Sequence, residues 1–270
     1  VTTDAAGRPF IPGSTLKGTL RAYAARALAT TPEATGALEE LFGSARPQPD
    51  QEVAHDLRVG GKVQFLNAYL NPESVPTYDD DLAPPHWDAR RATGVQTNVR
   101  LDRRTRTAQD AHLAHTEFCP AGLAFRVKLQ LEQPRGTELK LLLAALAGFN
   151  AESPITLGAN TSNGWGRAKW HLERVQTVDH DAVAAWLAGE PLRFTERQPP
   201  ALPPPIVRPE ASVSVRLRIG LLGPYLVNDP ARVERREAQA ASMTPPPVTP
   251  DLLPLIDAEG GARLPSESLR

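Results

Sequence analysis

The residues from Ile11 to Arg21, IPGSTLKGTLR, have the types and spacing of a phosphate-binding turn. Gly13 would let a backbone approach a ligand closely, and Ser14 would cap a helix whose first N–H groups and positive dipole end attract anions. Lys17 and Arg21 stand one helical turn apart, so a helix would bring their charges to one face. An ordinary capped helix with two solvated basic residues accounts for the same sequence, and the residues alone leave both interpretations open.

Arginines are concentrated between Arg90 and Arg106, where Asp102 is the only acidic residue. They are Arg90, Arg91, Arg100, Arg103, Arg104 and Arg106. Aspartates upstream, at 79–81 and 88, offset them, so the net charge of -1 conceals a basic stripe. Such a stripe would bind phosphates in a salt-dependent and largely sequence-independent way. The alternative is a solvated hairpin whose charged edges protect it from aggregation.

A glycine-rich loop, GANTSNGWGR, begins at Gly158. Gly164 and Gly166 would present backbone amides to phosphates, with Arg167 adding charge, or they would only form a tight turn between a helix and a strand. Trp165 would stack on a base or pack in the core. The loop is therefore a second candidate anion site with a structural alternative.

His112, His115 and Cys119 come closest to a metal-site pattern, but a hairpin would not bring all three side chains together. We therefore assign them a structural role and predict no metal site. Cys119 is the only cysteine, which excludes an internal disulfide and a cysteine-rich zinc site. No stretch approaches about 18 consecutive apolar residues, so we expect a cytoplasmic protein without a membrane partner.

Both helices and strands are predicted to position these residues, which indicates an α+β fold. The predicted helices are Thr15–Thr30, Thr137–Phe149 and Asp181–Leu187. The predicted strands lie within Val59–Leu70, in a two-stranded excursion between Gly94 and Val127, after Arg167 with Ala168, Trp170 and Leu172 on one face, and at Val213–Ile219. Prolines cluster between Pro199 and Pro209 and indicate a semi-rigid polyproline linker.

A short repeat connects the two ends of the sequence. Asp4–Lys17 reads DAAGRPFIPGSTLK and Asp257–Arg270 reads DAEGGARLPSESLR, and the two align without gaps. Two unrelated turns before helices are the alternative, but agreement in spacing and chemistry favours duplication. We predict a first domain at 1–180, a helix and proline-rich linker at 181–210, and the start of a second domain at 211–270. Because the sequence starts without methionine and stops at a predicted helix start, we expect a fragment of a longer protein.

With the residues that precede it, the first motif reads DAAGRPFIPGSTLKGTLR and resembles the hallmark turn of the RAMP superfamily, as found in the backbone subunits of type III CRISPR effector complexes. The segment from Thr93 to Glu132 is similar to the family's long thumb hairpin, including its return at Glu117, Gly122 and Phe125. The glycine-rich loop resembles the loop before the family's last strand. The order of the three segments also matches the family.

The resemblance implies a ferredoxin-like (RRM-like) RAMP domain with a long thumb hairpin, lacking its N-terminal strand here and followed by the start of a second such domain. It implies a backbone-type subunit, a fusion of several RAMP domains, that binds CRISPR RNA in antiviral defence. Target RNA and other effector subunits are the implied partners, and the thumb would interrupt guide–target pairing. The implied RNA-binding residues are Gly13, Ser14, Lys17, Arg21, Arg100, Arg103, Arg104, Arg106, Gly164, Gly166, Arg167, Ser268 and Arg270.

Three alternatives stay open. Some family members cleave bound target RNA with an aspartate before the hallmark turn. Asp251 stands at a similar place before the second copy, although a proline falls one position late, and its action would need a divalent cation such as Mg²⁺. Capping of a turn is the other role for Asp251. A CRISPR RNA-processing endonuclease would need a base such as His171 or His180, near the glycine-rich loop. The third alternative is a scaffold that contacts mainly protein subunits.

Overall fold

The computed structural model describes residues 1–44, 60–78, 83–101, 104, 108–151, 155–205, 230–245, 247, 249, 253 and 261. These residues belong to two compact units. Unit 1 is formed by the described residues of Val1–Ser14, Phe65–Lys128 and Ser214–Arg270, and unit 2 by those of Thr15–Gln64 and Leu129–Val213. Within the described ranges, none of the helices has the length and apolar character needed to span a bilayer.

Helices and strands are interleaved along the chain. The helices are α1 (Gly13–Ala27), α2 (Pro32–Phe42), α3 (Gly136–Ala147), α4 (His180–Leu187) and α5 (Pro230–Ala241). The strands are β1 (Phe10–Ile11), β2 (Val63–Phe65), β3 (Ala68–Leu70), β4 (Gly94–Leu101), β5 (Ala108–Phe118), β6 (Phe125–Arg126), β7 (Leu129–Leu131), β8 (Val175–Thr177) and β9 (Thr195–Arg197). The mixture confirms the α+β class, and the ferredoxin-like arrangement stays a prediction.

Unit 1 contains an antiparallel sheet with the order β1-β3-β6. In β3, Ala68 and Leu70 are buried, whereas Tyr69 between them is exposed. Because successive side chains of a strand point to opposite faces, this alternation shows that one face of the sheet is covered and the other meets solvent.

Unit 1 also contains a hairpin formed by β4 and β5, with Gly94 opposite Phe118 at its base. The register shifts between Val99 and Leu101. At the base the fit is close, because a Cβ atom on Gly94 would lie 3.0 Å from Phe118 Cζ. The hairpin confirms a two-stranded excursion that begins at Gly94, but it ends at Phe118 rather than near Val127, since Phe125 and Arg126 form β6 and pair with β3. Its identity as the family's thumb stays a prediction.

Unit 2 has a core to which α1, α2 and α3 contribute. Leu20, Leu41 and Leu146 are almost completely buried, and burial of such a side chain stabilises the folded state by about 1.5–3 kcal/mol. Helix α2 begins after Thr31, whose Oγ1 accepts the N–H of Ala34 at 3.2 Å. This side-chain cap satisfies one of the N–H groups that a helix start leaves unpaired.

The helix predictions hold for α3 and α4, which begin and end within about two residues of the predicted bounds. The prediction that Ser14 caps the first helix is wrong. Helix α1 already begins at Gly13, so Ser14 lies within its first turn and is exposed. The predicted cap lies one position inside the observed helix start, and residue types alone do not locate a helix boundary more closely than one or two residues.

The strand predicted after Arg167 is wrong. Residues 168–173 alternate between half-buried and exposed positions, as predicted, but they carry no regular secondary structure, and the next strand, β8, begins at Val175. The strand predicted at Val213–Ile219 lies outside the described residues. Helix α5, which follows that segment in the sequence, was not predicted. The predicted domain boundaries stay predictions.

Candidate nucleic-acid interface

Gly13 lies against the chain's own backbone. Its N–H donates to Oδ1 of Asn67 at 3.0 Å, so a side chain remote in sequence satisfies the first N–H of α1. A Cβ atom on residue 13 would overlap the carbonyl oxygen of Phe65 and would lie 2.7 Å from its carbonyl carbon and 2.8 Å from the Leu66 oxygen. Glycine at position 13 is therefore needed for backbone packing within unit 1, independently of any contact with a ligand.

Lys17 and Arg21 both donate to backbone carbonyls within unit 2. Lys17 Nζ donates to the oxygen of Val63 at 3.0 Å, and Arg21 Nη2 donates to the oxygen of Gly43 at 3.3 Å. Burial, and secondarily the charge of Arg21, lowers the pKa of Lys17. Both side chains are half-buried, so they are held in place rather than freely solvated. Of the two predicted phosphate ligands, Arg21 keeps one buried nitrogen, Nε, without a hydrogen-bond partner among the described residues.

The arginine stripe lies only partly within the described residues. Arg103 and Arg106 lie outside them, and Arg100 is placed in β4 by its backbone alone. Arg104 is exposed. Arg104 lies between β4 and β5, and an exposed cation there has the charge that a phosphate contact requires.

The base of the hairpin is fixed by a contact that the sequence did not predict. Oε1 of Glu117 accepts from Arg91 Nη2 at 2.7 Å and from Thr93 Oγ1 at 3.1 Å. Asp88 Oδ1 accepts the N–H groups of Arg90 and Arg91 at 2.9 and 3.2 Å. Arg91 therefore links the start of the hairpin to β5, and Arg90, which is exposed, stays a candidate for an RNA contact.

The glycine-rich loop is closed by its own backbone. Leu157 N–H donates to the Gly166 oxygen at 2.9 Å, and Gly164 N–H donates to the Thr161 oxygen at 3.0 Å. Gly166 has a φ of 74°, and a Cβ atom there would overlap the Leu157 oxygen. Any other residue at this position would therefore force the backbone to move. Gly164 has a φ of 82° but faces open space. The turn role of both glycines is thus visible, and their RNA contacts stay a prediction.

A cleft lies beside this loop in unit 2, with a volume of about 250 Å³. It is lined by Phe149, Asn150, Ala151, Arg167, Ala168 and Lys169. Arg167 and Lys169 are exposed. Asn150 ties the wall together, because its side-chain amide both donates to the Trp170 oxygen at 3.2 Å and accepts the Trp170 N–H at 3.1 Å. The cleft places the predicted Arg167 beside Lys169, which the sequence analysis did not single out.

Only some of the residues predicted for catalysis or RNA binding lie in the described part of the chain. His171 and His180 are exposed, and Asp251, Ser268 and Arg270 lie outside the described residues. Among the described residues no group of histidine, cysteine and carboxylate side chains has the arrangement of a metal site. Nδ1 of His115 lies 2.9 Å from Thr97 Oγ1, across the hairpin, which is a structural contact. A Mg²⁺ site at Asp251 stays a prediction.

Comparison with known proteins identifies one matching protein family. No curated protein matches the chain at a significant level. The sequence model of the RAMP superfamily matches residues 1–169, which is more than half of the chain. The matched residues include the start of α1, the hairpin and the glycine-rich loop. The chain therefore belongs to the RAMP superfamily.

Proposed function

We propose that this protein is an RNA-binding backbone subunit of a type III CRISPR effector complex. Membership of the RAMP superfamily, whose proteins are generally CRISPR-associated, implies a CRISPR-related RNA-binding role. The observation that carries the finer proposal is the position of the predicted RNA-binding segments. The helix start at Gly13, the arginines from Arg100 to Arg106 and the loop residues Gly164 to Arg167 all lie within the matched residues.

Each segment would contribute a different contact. The exposed Ser14 lies in the first turn of α1, where backbone N–H groups and the helix dipole favour an anion. Arg104 and its neighbours in the hairpin would bind phosphates by charge, and Arg167 with Lys169 would hold a phosphate at the mouth of the cleft. Such contacts fix the path of the RNA without reading its bases, as a guide of variable sequence requires.

The proposed partners follow from this role. CRISPR RNA would contact each of these segments, and target RNA would pair with it. Other subunits of the effector complex would flank this one, in the cytoplasm, and the complex would act in antiviral defence. The repeat at Asp257–Arg270, with Ser268 and Arg270 in the places of Thr15 and Lys17, supports a second RNA-binding domain of the same kind.

The test is the salt dependence of RNA binding. The affinity of the protein for a fluorescent single-stranded RNA is measured from low to high salt, for the wild type and for the triple variant Arg100→Glu, Arg103→Glu, Arg104→Glu. Loss of three phosphate contacts is expected to reduce the slope of log K against log salt by about 2, since each contact on a single strand contributes about 0.7.

A matched control is the triple variant Arg174→Glu, Arg193→Glu, Arg197→Glu. These arginines are exposed in unit 2, and two of them form only surface ion pairs, with Glu196 and Glu190. The control changes the net charge by the same amount and is expected to keep most of the slope. Equal effects of the two triple variants, or no RNA binding by the wild type, would contradict the proposal.

A further inference from the structure

The solvent-facing side of the unit 1 sheet carries aromatic side chains in register. Phe10 of β1 is paired with Tyr69 of β3, and Tyr69 is paired with Arg126 of β6. Residues directly opposite each other in an antiparallel sheet point to the same face. Phe10, Tyr69 and Arg126 therefore form one row across three strands, which we call the aromatic row.

Within the aromatic row Tyr69 and Arg126 are exposed, and Phe10 is half-buried. Tyr69 is 51% exposed, whereas Ala68 and Leu70 on either side are 2% and 7% exposed. The rings of Phe10 and Tyr69 are stacked, with centroids 5.9 Å apart and planes inclined by 28°. An exposed, ordered aromatic surface of this kind is costly to keep in water, and it offers a flat π-face to a planar ligand.

The side chain of Asn67, from outside the row, lies beside Tyr69. Asn67 Nδ2 lies 3.5 Å from the Tyr69 hydroxyl, and Oδ1 of the same amide accepts the N–H of Gly13. The amide thereby links the aromatic row to the start of α1, within unit 1.

The charges beside the row favour an anionic partner. Arg126 ends the row and is exposed, and Lys128, two residues further along the same segment, is exposed as well. The Lys128 oxygen accepts the N–H of Leu66 at 3.1 Å, so the backbone of Lys128 is held against the segment that leads into β3. Aromatic faces flanked by cations suit single-stranded RNA, whose bases stack while its phosphates meet the charges.

We propose that the aromatic row binds an unpaired nucleotide of RNA, with its base stacked on Tyr69 and its neighbouring phosphates near Arg126 and Lys128. This inference rests on the proposed RNA-binding function and adds to it a contact with a base. A protein partner on this face is the competing possibility, and the experiment separates the two.

The experiment compares Tyr69→Leu, Tyr69→Phe and Trp186→Leu in the binding of an unstructured single-stranded RNA. Tyr69→Leu keeps apolar bulk but removes the ring, and it is expected to weaken binding about 5- to 140-fold, the loss that one stacked base gives on truncation. The slope against salt should not change, because no phosphate contact is lost. Tyr69→Phe keeps the ring and should restore binding to within about twofold of the wild type.

Trp186 is the matched control, since it is an aromatic side chain of unit 2 with 53% exposure, close to the 51% of Tyr69. Trp186→Leu should leave RNA affinity unchanged. If Tyr69→Leu binds RNA as well as Trp186→Leu does, or if Tyr69→Phe is as weak as Tyr69→Leu, base stacking is refuted while RNA binding stands. Loss of copurifying subunits with unchanged RNA affinity would identify a protein interface and overturn the inference. Absence of RNA binding by the wild type would overturn the proposed function itself.

Discussion

Replacement of Gly13 by alanine separates the two roles that its sequence context suggests. A Cβ atom at this position would overlap the Phe65 oxygen and come within 2.8 Å of the Leu66 oxygen. These are backbone atoms of the last residue of β2 and of the residue after it, so they yield only if the backbone there moves. We therefore expect Gly13→Ala to destabilise the protein even when no RNA is present.

The expected loss of stability is the difference between two opposing effects on the free energy of unfolding. Overpacking at a tight site costs about 1–3 kcal/mol, and contacts with backbone place this one near the upper end. Alanine recovers up to about 1 kcal/mol through its better helix propensity. The net loss is about 2 kcal/mol, which lowers the melting temperature by ~4–8 °C for a domain of this size.

Gly18 of the same helix is the control. A Cβ atom there would meet nothing within 4 Å, and the position is exposed. Gly18→Ala should therefore raise the melting temperature by ~2–4 °C, because alanine favours the helix by up to about 1 kcal/mol.

Thermal melting followed by circular dichroism, with and without RNA, measures both variants. If Gly13→Ala melts at the wild-type temperature but no longer binds RNA, the glycine serves ligand approach rather than packing, and our reasoning on this contact is refuted.

Two further predictions concern the contacts that position these surfaces. Glu138 is 1% exposed, and its Oε1 accepts from Lys62 Nζ at 2.6 Å; burial raises its pKa, but hydrogen bonds from Lys62 and from the Arg135 N–H outweigh this and lower the pKa to about 2. The ionised Glu138 carboxylate therefore stabilises the folded protein above the unfolded pKa of about 4.3, and this stabilisation is lost as the pH falls toward 2. In urea denaturation, Glu138→Gln should be about 2 kcal/mol less stable than the wild type at pH 7, and the difference should shrink in acid. Glu117→Gln should weaken the partly exposed contact with Arg91 by no more than about 1 kcal/mol. The loss should be seen as amide hydrogen exchange up to about fivefold faster at the hairpin base. Exchange at the wild-type rate would show that this contact does not hold the two strands together.

The parts of the fold that were predicted from the sequence are those with local causes. The apolar run from Leu139 to Phe149 carries its own helical periodicity, and the alternation after Gly94 carries that of a strand. The alternation at Ala168 and Trp170 was as clear, but a strand also needs a hydrogen-bonded neighbour, which no local pattern reveals. Periodicity therefore identified the hairpin and misidentified this segment.

The parts of the candidate site that were missed depend on residues distant in sequence. The N–H of Gly13 is satisfied by Asn67, which is 54 positions away. Tyr69 could not be recognised as exposed before its pairing with Phe10 was known. Lys169 gains its interest only from the cleft that places it beside Arg167. Contacts between remote segments are set by the tertiary fold, so residue types alone do not specify them.

Mapping of RNA–protein crosslinks in the effector complex purified from cells tests the central claim most directly. Irradiation joins bound RNA to the residues that it touches, and mass spectrometry identifies the crosslinked peptides. We predict crosslinks within Gly13–Arg21, Arg100–Arg106 and Gly164–Arg167 of this chain. An intact complex that carries RNA, but whose crosslinks all lie on other subunits, would contradict the account.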